Sequence, residues 1–152
     1  MTKNAIDLLK KDHEKVRKLL GELTETSNRA AKTRPELLKK ITEELERHTT
    51  VEEEIFYPAF KAAGGSEFKK MNFEAVEEHR AVDKLVLPDL ESTDPTSDNF
   101  AGRAKVLKEL VEHHADEEEK VMFKMARKAL TEDELKDLGE KMAARKEELE
   151  GH

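Results

Sequence analysis

Four stretches of this chain space their apolar residues at alternating steps of three and four, and each breaks the pattern with a histidine near mid-length. In the first, Ile6, Leu9, Val16, Leu20 and Leu23 share one helix face, and His13 fills the gap between Leu9 and Val16. In the second, Leu38, Ile41 and Leu45 lead into His48 and Glu52 before apolar residues resume at Ile55 and Phe56. The third stripe holds Ala75, His79, Val82 and Val86. The fourth runs through Ala104, Leu107, Val111, His114, Glu118, Val121, Met122 and Met125. Such a face is destined for a core, where an unpaired titratable group is costly. Any fold for this chain must therefore bury its histidines and give them partners.

Start and stop signals give the helices approximate bounds. The first runs over about 4–24 with Asn4 as its N-cap, and a capping box of Thr33 and Glu36 opens the second, which ends near "AAGGS". The third starts at about 66 or 68 and runs to about 87, and the fourth starts at about 98. A second capping box, Thr131 with Glu134, opens a shorter fifth helix carrying Leu135, Leu138 and Met142. Four long helices with short connections predict an all-α chain. They form an antiparallel up-down four-helix bundle over about 4–127, with an appended helix at about 131–149 packed on its outside. A length of 152 residues suits one domain, 1–152, with one sizeable core.

The charge balance narrows the partners. Acidic residues outnumber basic ones, the net charge is -7, and Lys and Arg are scattered among Glu along helix faces, so no basic patch offers itself to nucleic acid. No apolar run reaches membrane-spanning length, and "MTKNAIDLLKKDHEK" lacks the apolar segment of a signal peptide, so a cytoplasmic location is expected. With no cysteine, thiolate zinc sites, iron–sulfur clusters and cysteine nucleophiles are excluded. Any metal must be held by nitrogen and oxygen.

The histidines and glutamates form a pattern suited to that task. Residues four apart on a helix lie one above the other, about 5–6 Å between Cβ atoms, so His48 and Glu52 reach the same region. His114 and Glu118 repeat the spacing, as do His113 and Glu117. Superposing the second and fourth helices with His48 on His114 pairs Ile41 with Leu107 and Ile55 with Val121, keeping the core apolar. Matching His113 instead sets Leu38 against Arg103 and Ile55 against Lys120. His114 and Glu118 are thus favoured, with His113 and Glu117 as the alternative. Two His–Glu pairs plus His13 and His79 exceed what one tetrahedral zinc needs. A dinuclear centre with bridging carboxylates is the natural reading, and imidazole with carboxylate suits iron, manganese or zinc. Glu53, Glu54, Glu117 and Glu119 read most simply as a solvated face.

His13 with "HTTVEEEIFYP", "EEHRAVDKL" and "HHADEEEKVMF", in that order, resembles the hemerythrin-like HHE cation-binding domains over about 7–126. The resemblance implies a non-haem di-iron centre with an oxo or hydroxo bridge. Carried over by position, His13, His48, His79 and His114 are terminal ligands, and Glu52 and Glu118 bridge the two irons. The sequence departs from the oxygen-carrying members: Asp83 stands four residues after His79 where they have a histidine, and Glu118 stands where they have aspartate. Bulk oxygen transport is accordingly set aside in favour of redox or stress chemistry, sensing, or iron handling. The expected partners are dioxygen, peroxide or nitric oxide, with an oxidoreductase activity and a protein redox partner as further expectations.

Three competing readings are separable. Ferritin-like di-iron sites need Glu-x-x-His, but Lys10, Leu45, Val76, Leu110 and Val111 stand three before the histidines. A zincin H-E-x-x-H fails because Arg17 follows His13-Glu14 at the required position. A metal-free helical interaction module leaves the repeated His–Glu spacing without a cause, and a mononuclear or structural zinc site is separable by metal content alone.

Overall fold

A computed structural model describes residues 3–151; Met1, Thr2 and His152, at the ends of the expected domain, lie outside the described residues. Five helices make up almost all of it. They are α1 (Ala5–Glu25), α2 (33–63), α3 (66–91), α4 (98–129) and α5 (Glu132–Glu150). Asn4 caps α1 by accepting from the Asp7 amide at 2.9 Å, and Ser97 caps α4 in the same way through the Phe100 amide at 3.1 Å. The expected box at Thr131 and Glu134 forms in both directions, at 3.1 and 2.9 Å.

The box expected at Thr33 and Glu36 does not form. Thr33 already lies in the first helical turn, and the capping position falls on Lys32, which makes no side-chain cap. Arg34 governs this entry instead. Its side chain is buried and donates to Thr26, to the Asn28 side chain and to the Pro95 carbonyl, binding the α1–α2 and α3–α4 connections together. A cation with that many fixed acceptors outweighs one optional cap.

Each of α2, α3 and α4 contains one π-helical turn, at Glu52–Phe56, Val82–Val86 and Glu118–Met122. Proline follows the turn in α2 (Pro58) and α3 (Pro88), but α4 makes the same turn with Lys124 in that place, so proline is not its common cause. A π turn inserts an extra residue and rotates everything beyond it. The buried residues after Glu52 are consequently Phe56, Tyr57 and Phe60, and after Glu118 they are Met122, Phe123 and Ala126. The uninterrupted stripe expected through Ile55 and Val121 is corrected by this rotation: Val121 is 41% exposed and Ile55 only partly buried.

Two apolar cores result. One contains Ile6, Leu9, Phe56, Tyr57, Phe60 and Phe123; the other contains Val16, Leu20, Ile41, Leu90, Phe100 and Leu107. Each large side chain buried this way stabilises the fold by about 1.5–3 kcal/mol relative to exposure. The histidines fall between the two cores, His13 between Leu9 and Val16 and His48 between Leu45 and Val51 along their helices.

The fifth helix packs on α1 and α2, and its Leu135 and Met142 are buried members of the first core. Gly139 permits the approach, because a Cβ there would lie 2.4 Å from the Lys3 carbonyl oxygen. Among the described residues no helix is long and apolar enough to cross a membrane.

Candidate metal centre

Six side chains from four helices meet between the cores. His13 comes from α1, His48 and Glu52 from α2, His79 from α3, and His114 and Glu118 from α4. The four-residue spacing stacks each His over its Glu, and the π turns of α2 and α4 begin at these glutamates. Each carboxylate serves two rings. Glu52 Oε1 lies 3.1 Å from His48 Nε2 and 3.2 Å from His79 Nε2. Glu118 Oε1 lies 3.0 Å from His13 Nε2 and 3.5 Å from His114 Nε2. The potential ligand atoms form two groups, His13–His48–Glu52–Glu118 and Glu52–His79–His114, each spanning no more than 4.8 Å. Glu52 belongs to both, which is the arrangement two cations sharing a carboxylate require.

The donors also fit a cation by what they leave unpaired. His48 Nε2 and both Glu52 oxygens are buried without a protein hydrogen-bond partner, although the distances between them are short. Buried polar atoms are nearly always hydrogen-bonded, and a fully buried carboxylate with neither oxygen in a well-aligned hydrogen bond is costly. Coordination to a cation removes that cost, and the nitrogen and oxygen donor set suits iron, manganese or zinc.

Four further carboxylates hold the rings from behind. Asp12 on α1 lies 2.9 Å from His48 Nδ1, and Glu53 on α2 lies 2.8 Å from His79 Nδ1. Glu78 on α3 lies 2.7 Å from His114 Nδ1, and Glu119 on α4 lies 2.6 Å from His13 Nδ1. Each helix thus supplies the carboxylate for the histidine of the next, and the fourth closes back on the first. An ionised carboxylate only accepts, so each Nδ1 donates, and a ring in its neutral form then turns the Nε2 lone pair toward the centre. Glu119 is steadied in turn by Arg17 at 2.9 Å.

The electrostatics follow from that crowding. Burial opposes charge on His48, but Glu52 and Asp12 outweigh it and raise its pKa to about 10. His79 and His114 are raised against the same desolvation, His79 by Glu52 and Glu53, and His114 by Glu118 and Glu78. Glu118 moves well below the usual carboxylate range despite burial, through His114 and His13. Without a cation, protons on His48, His79 and His114 offset the carboxylates around them.

Tyr57 adds a phenol. Its hydroxyl donates to Glu118 Oε2 at 2.7 Å and lies 3.2 and 3.4 Å from the Nε2 atoms of His79 and His114. Burial, then Glu52 and Glu118, push its pKa well above 10. Phe123 occupies the matching place on α4, five residues after Glu118 as Tyr57 is five after Glu52, and stacks on His13 at 5.9 Å. The two halves of the site are therefore chemically unequal.

All six residues singled out from the sequence come together. The alternative pair does not join them: the His113 side chain is 72% exposed and its Nε2 is 3.4 Å from Glu117. With Glu78, that pair forms a separate, outer group. Asp83 is exposed and pairs with Lys84 at 3.3 Å, outside the ligand groups among the described residues. Glu53 and Glu119 are not the plain solvated face expected, since both hold histidines of other helices. Asp12, Glu78 and Tyr57 had not been singled out at all. A signal for the carboxylates existed: Asp12 and Glu78 immediately precede His13 and His79, and Glu53 and Glu119 immediately follow Glu52 and Glu118.

A helical scaffold around buried imidazoles and carboxylates defines a cation-binding helical protein. The chain belongs to the hemerythrin HHE cation-binding domain family, whose model matches residues 4–126. It is 34% identical over 149 residues to an uncharacterized protein of Mycobacterium tuberculosis, covering 97% of this chain and 88% of that one. An uncharacterized hemerythrin-like protein of Schizosaccharomyces pombe is 30% identical over 128 residues, covering 84% of this chain and 62% of that protein. The crystal structure of a hemerythrin HHE cation-binding domain-containing protein from Mycobacterium kansasii superposes with a TM-score of 0.84 at 33% identity, covering 98% of this chain and 88% of that one.

Proposed function

We propose that this chain is a non-haem di-iron protein that meets dioxygen, peroxide or nitric oxide at the centre between its two cores. His13, His48, His79 and His114 serve as terminal ligands and Glu52 and Glu118 as bridges, within an up-down four-helix bundle that α5 completes. The observation carrying this reading is Glu52, a fully buried carboxylate that lies in both ligand groups with neither oxygen partnered. Two iron ions held there would supply the electrons for reducing a small bound oxidant. The chain's own part is to fix the tautomer of each ring through its Nδ1 carboxylate, to present a hydroxyl from Tyr57 beside Glu118, and to keep bulk water away. Its expected home is the cytoplasm.

Protein loaded anaerobically with ferrous iron tests the proposal. The expected result is two irons per chain and, after oxidation, ligand-to-metal absorption bands that shift with azide. Glu52→Ala should lose much of the iron. A content well below two per chain with no such bands overturns the reading.

A further inference from the structure

The four histidines share one wall of a cavity of about 120 Å³. The remaining walls are mostly apolar, with Val16 from α1, Leu45 from α2, Val82 and Leu87 from α3, and Val111 and Ala115 from α4. Arg17, Glu46, Glu78, Asp83 and His113 also border it, and the exposed Glu46, Asp83 and His113 mark where it approaches solvent. Glu52, Glu118 and Tyr57 do not line it. A molecule entering from here therefore meets the imidazoles before Glu52, Glu118 or Tyr57.

Size and lining decide what such a space can take. One water needs roughly 10–15 Å³ of cavity, and a diatomic ligand is little larger. The observed volume is several times greater than either requires. Apolar walls give water few partners, and a void of this size deprives the surrounding side chains of contacts that close packing normally supplies. An engineered apolar cavity of about 150 Å³ stays dry and accepts benzene. Branched aliphatic side chains from four helices supply a comparable apolar surface here, opposite the histidines.

We propose that this cavity is a binding pocket for a compact apolar organic molecule, about the size of a benzene ring, seated directly against the four histidines. The proposal rests on reading those histidines as a metal centre, and specifies which class of molecule beyond a diatomic reaches it. The body of the molecule packs on Val16, Leu45, Val82 and Val111, and a polar substituent, where present, faces the imidazole wall.

Fluorobenzene, followed by fluorine NMR on the full chain with and without bound metal, tests this directly. The expected result is saturable binding of one fluorobenzene per chain. Val111→Phe and Val82→Phe, made separately, fill the space from different helices. Each should weaken binding at least tenfold while leaving the metal content of the same sample unchanged, and should raise the melting temperature by closing a void. No saturable binding, or unaltered binding in both folded variants, overturns the pocket. The two readings fail separately. Two metals with no fluorobenzene binding removes the pocket alone, whereas binding without metal uptake keeps the pocket and removes the metal centre.

Discussion

Lys146 in the last helix hydrogen-bonds Asp12 in the first, and Asp12 in turn receives the Nδ1 proton of His48 at 2.9 Å. A helix lying beyond the family match at residues 4–126 is therefore joined to the candidate centre by two hydrogen bonds. Burial disfavours charge on Asp12, yet His48 and Lys146 together hold its carboxyl below the usual range. Outer partners of this kind commonly alter metal affinity about 10–100-fold. Asp12→Ala should weaken metal binding by that order in competition with a chelator. Lys146→Met removes only the more distant partner and should cost less affinity than Asp12→Ala. Equal losses would place the control in the helix rather than in the carboxylate.

Adjacent glutamates on α2 should behave differently. Glu53 holds His79, whereas Glu54 faces Arg145 on the surface at 3.1 Å. Exposed ion pairs contribute about 0–1 kcal/mol. Glu53→Gln should lower metal affinity by roughly tenfold or more, and Glu54→Gln should leave it unchanged. The same chelator titration run on both variants decides it, and similar losses would return Glu53 to the solvated face.

Metal-free protein should lose stability as pH rises through the neutral range. His48 has its pKa raised from 6.5 to about 10 in the fold. Its contribution is thus fully present below pH 6.5 and disappears as pH climbs through about 10. His79 acts in the same direction. The lowered carboxyls of Asp12 and Glu118 have the opposite sign, but their contributions are lost only on acidification. Metal binding requires neutral rings, so it releases protons and strengthens with pH. Melting curves at several pH values should show the metal-free form falling while the gap to the loaded form widens. A constant gap would contradict the proton balance described.

Gly139→Ala tests the docking of α5. A Cβ would meet the Lys3 carbonyl oxygen at 2.4 Å and the Asn4 carbonyl carbon at 2.8 Å, both backbone atoms with little room to move. Overpacking of this sort costs about 1–3 kcal/mol. Chemical denaturation should show that loss, whereas Gly21→Ala, with nothing within 4 Å, should be neutral or stabilising.

The helices and the stripe of histidines, with His114 far more buried than His113, were legible from the 3.6-residue period. Periodicity reports which face is buried, and those residues lie on it. The π turns were not legible, because no residue type common to Glu52–Phe56, Val82–Val86 and Glu118–Met122 announces them. Their rotation is what brings Tyr57 inward and turns Val121 out. Asp12, Glu53, Glu78 and Glu119 sit one residue from the buried stripe, and only the neighbouring helix determines that they meet a histidine. How closely α5 docks was not legible for a related reason. Its own sequence shows a modest apolar face, and its close approach depends on the absence of a side chain at Gly139.

Anomalous diffraction at the iron absorption edge, from crystals of protein loaded with ferrous iron and then oxidised, tests the central claim most directly. The account predicts two peaks per chain, both within coordination distance of Glu52, one beside His48 and the other beside His79. A single peak, or peaks only at the outer group of Glu78, His113 and Glu117, would contradict it.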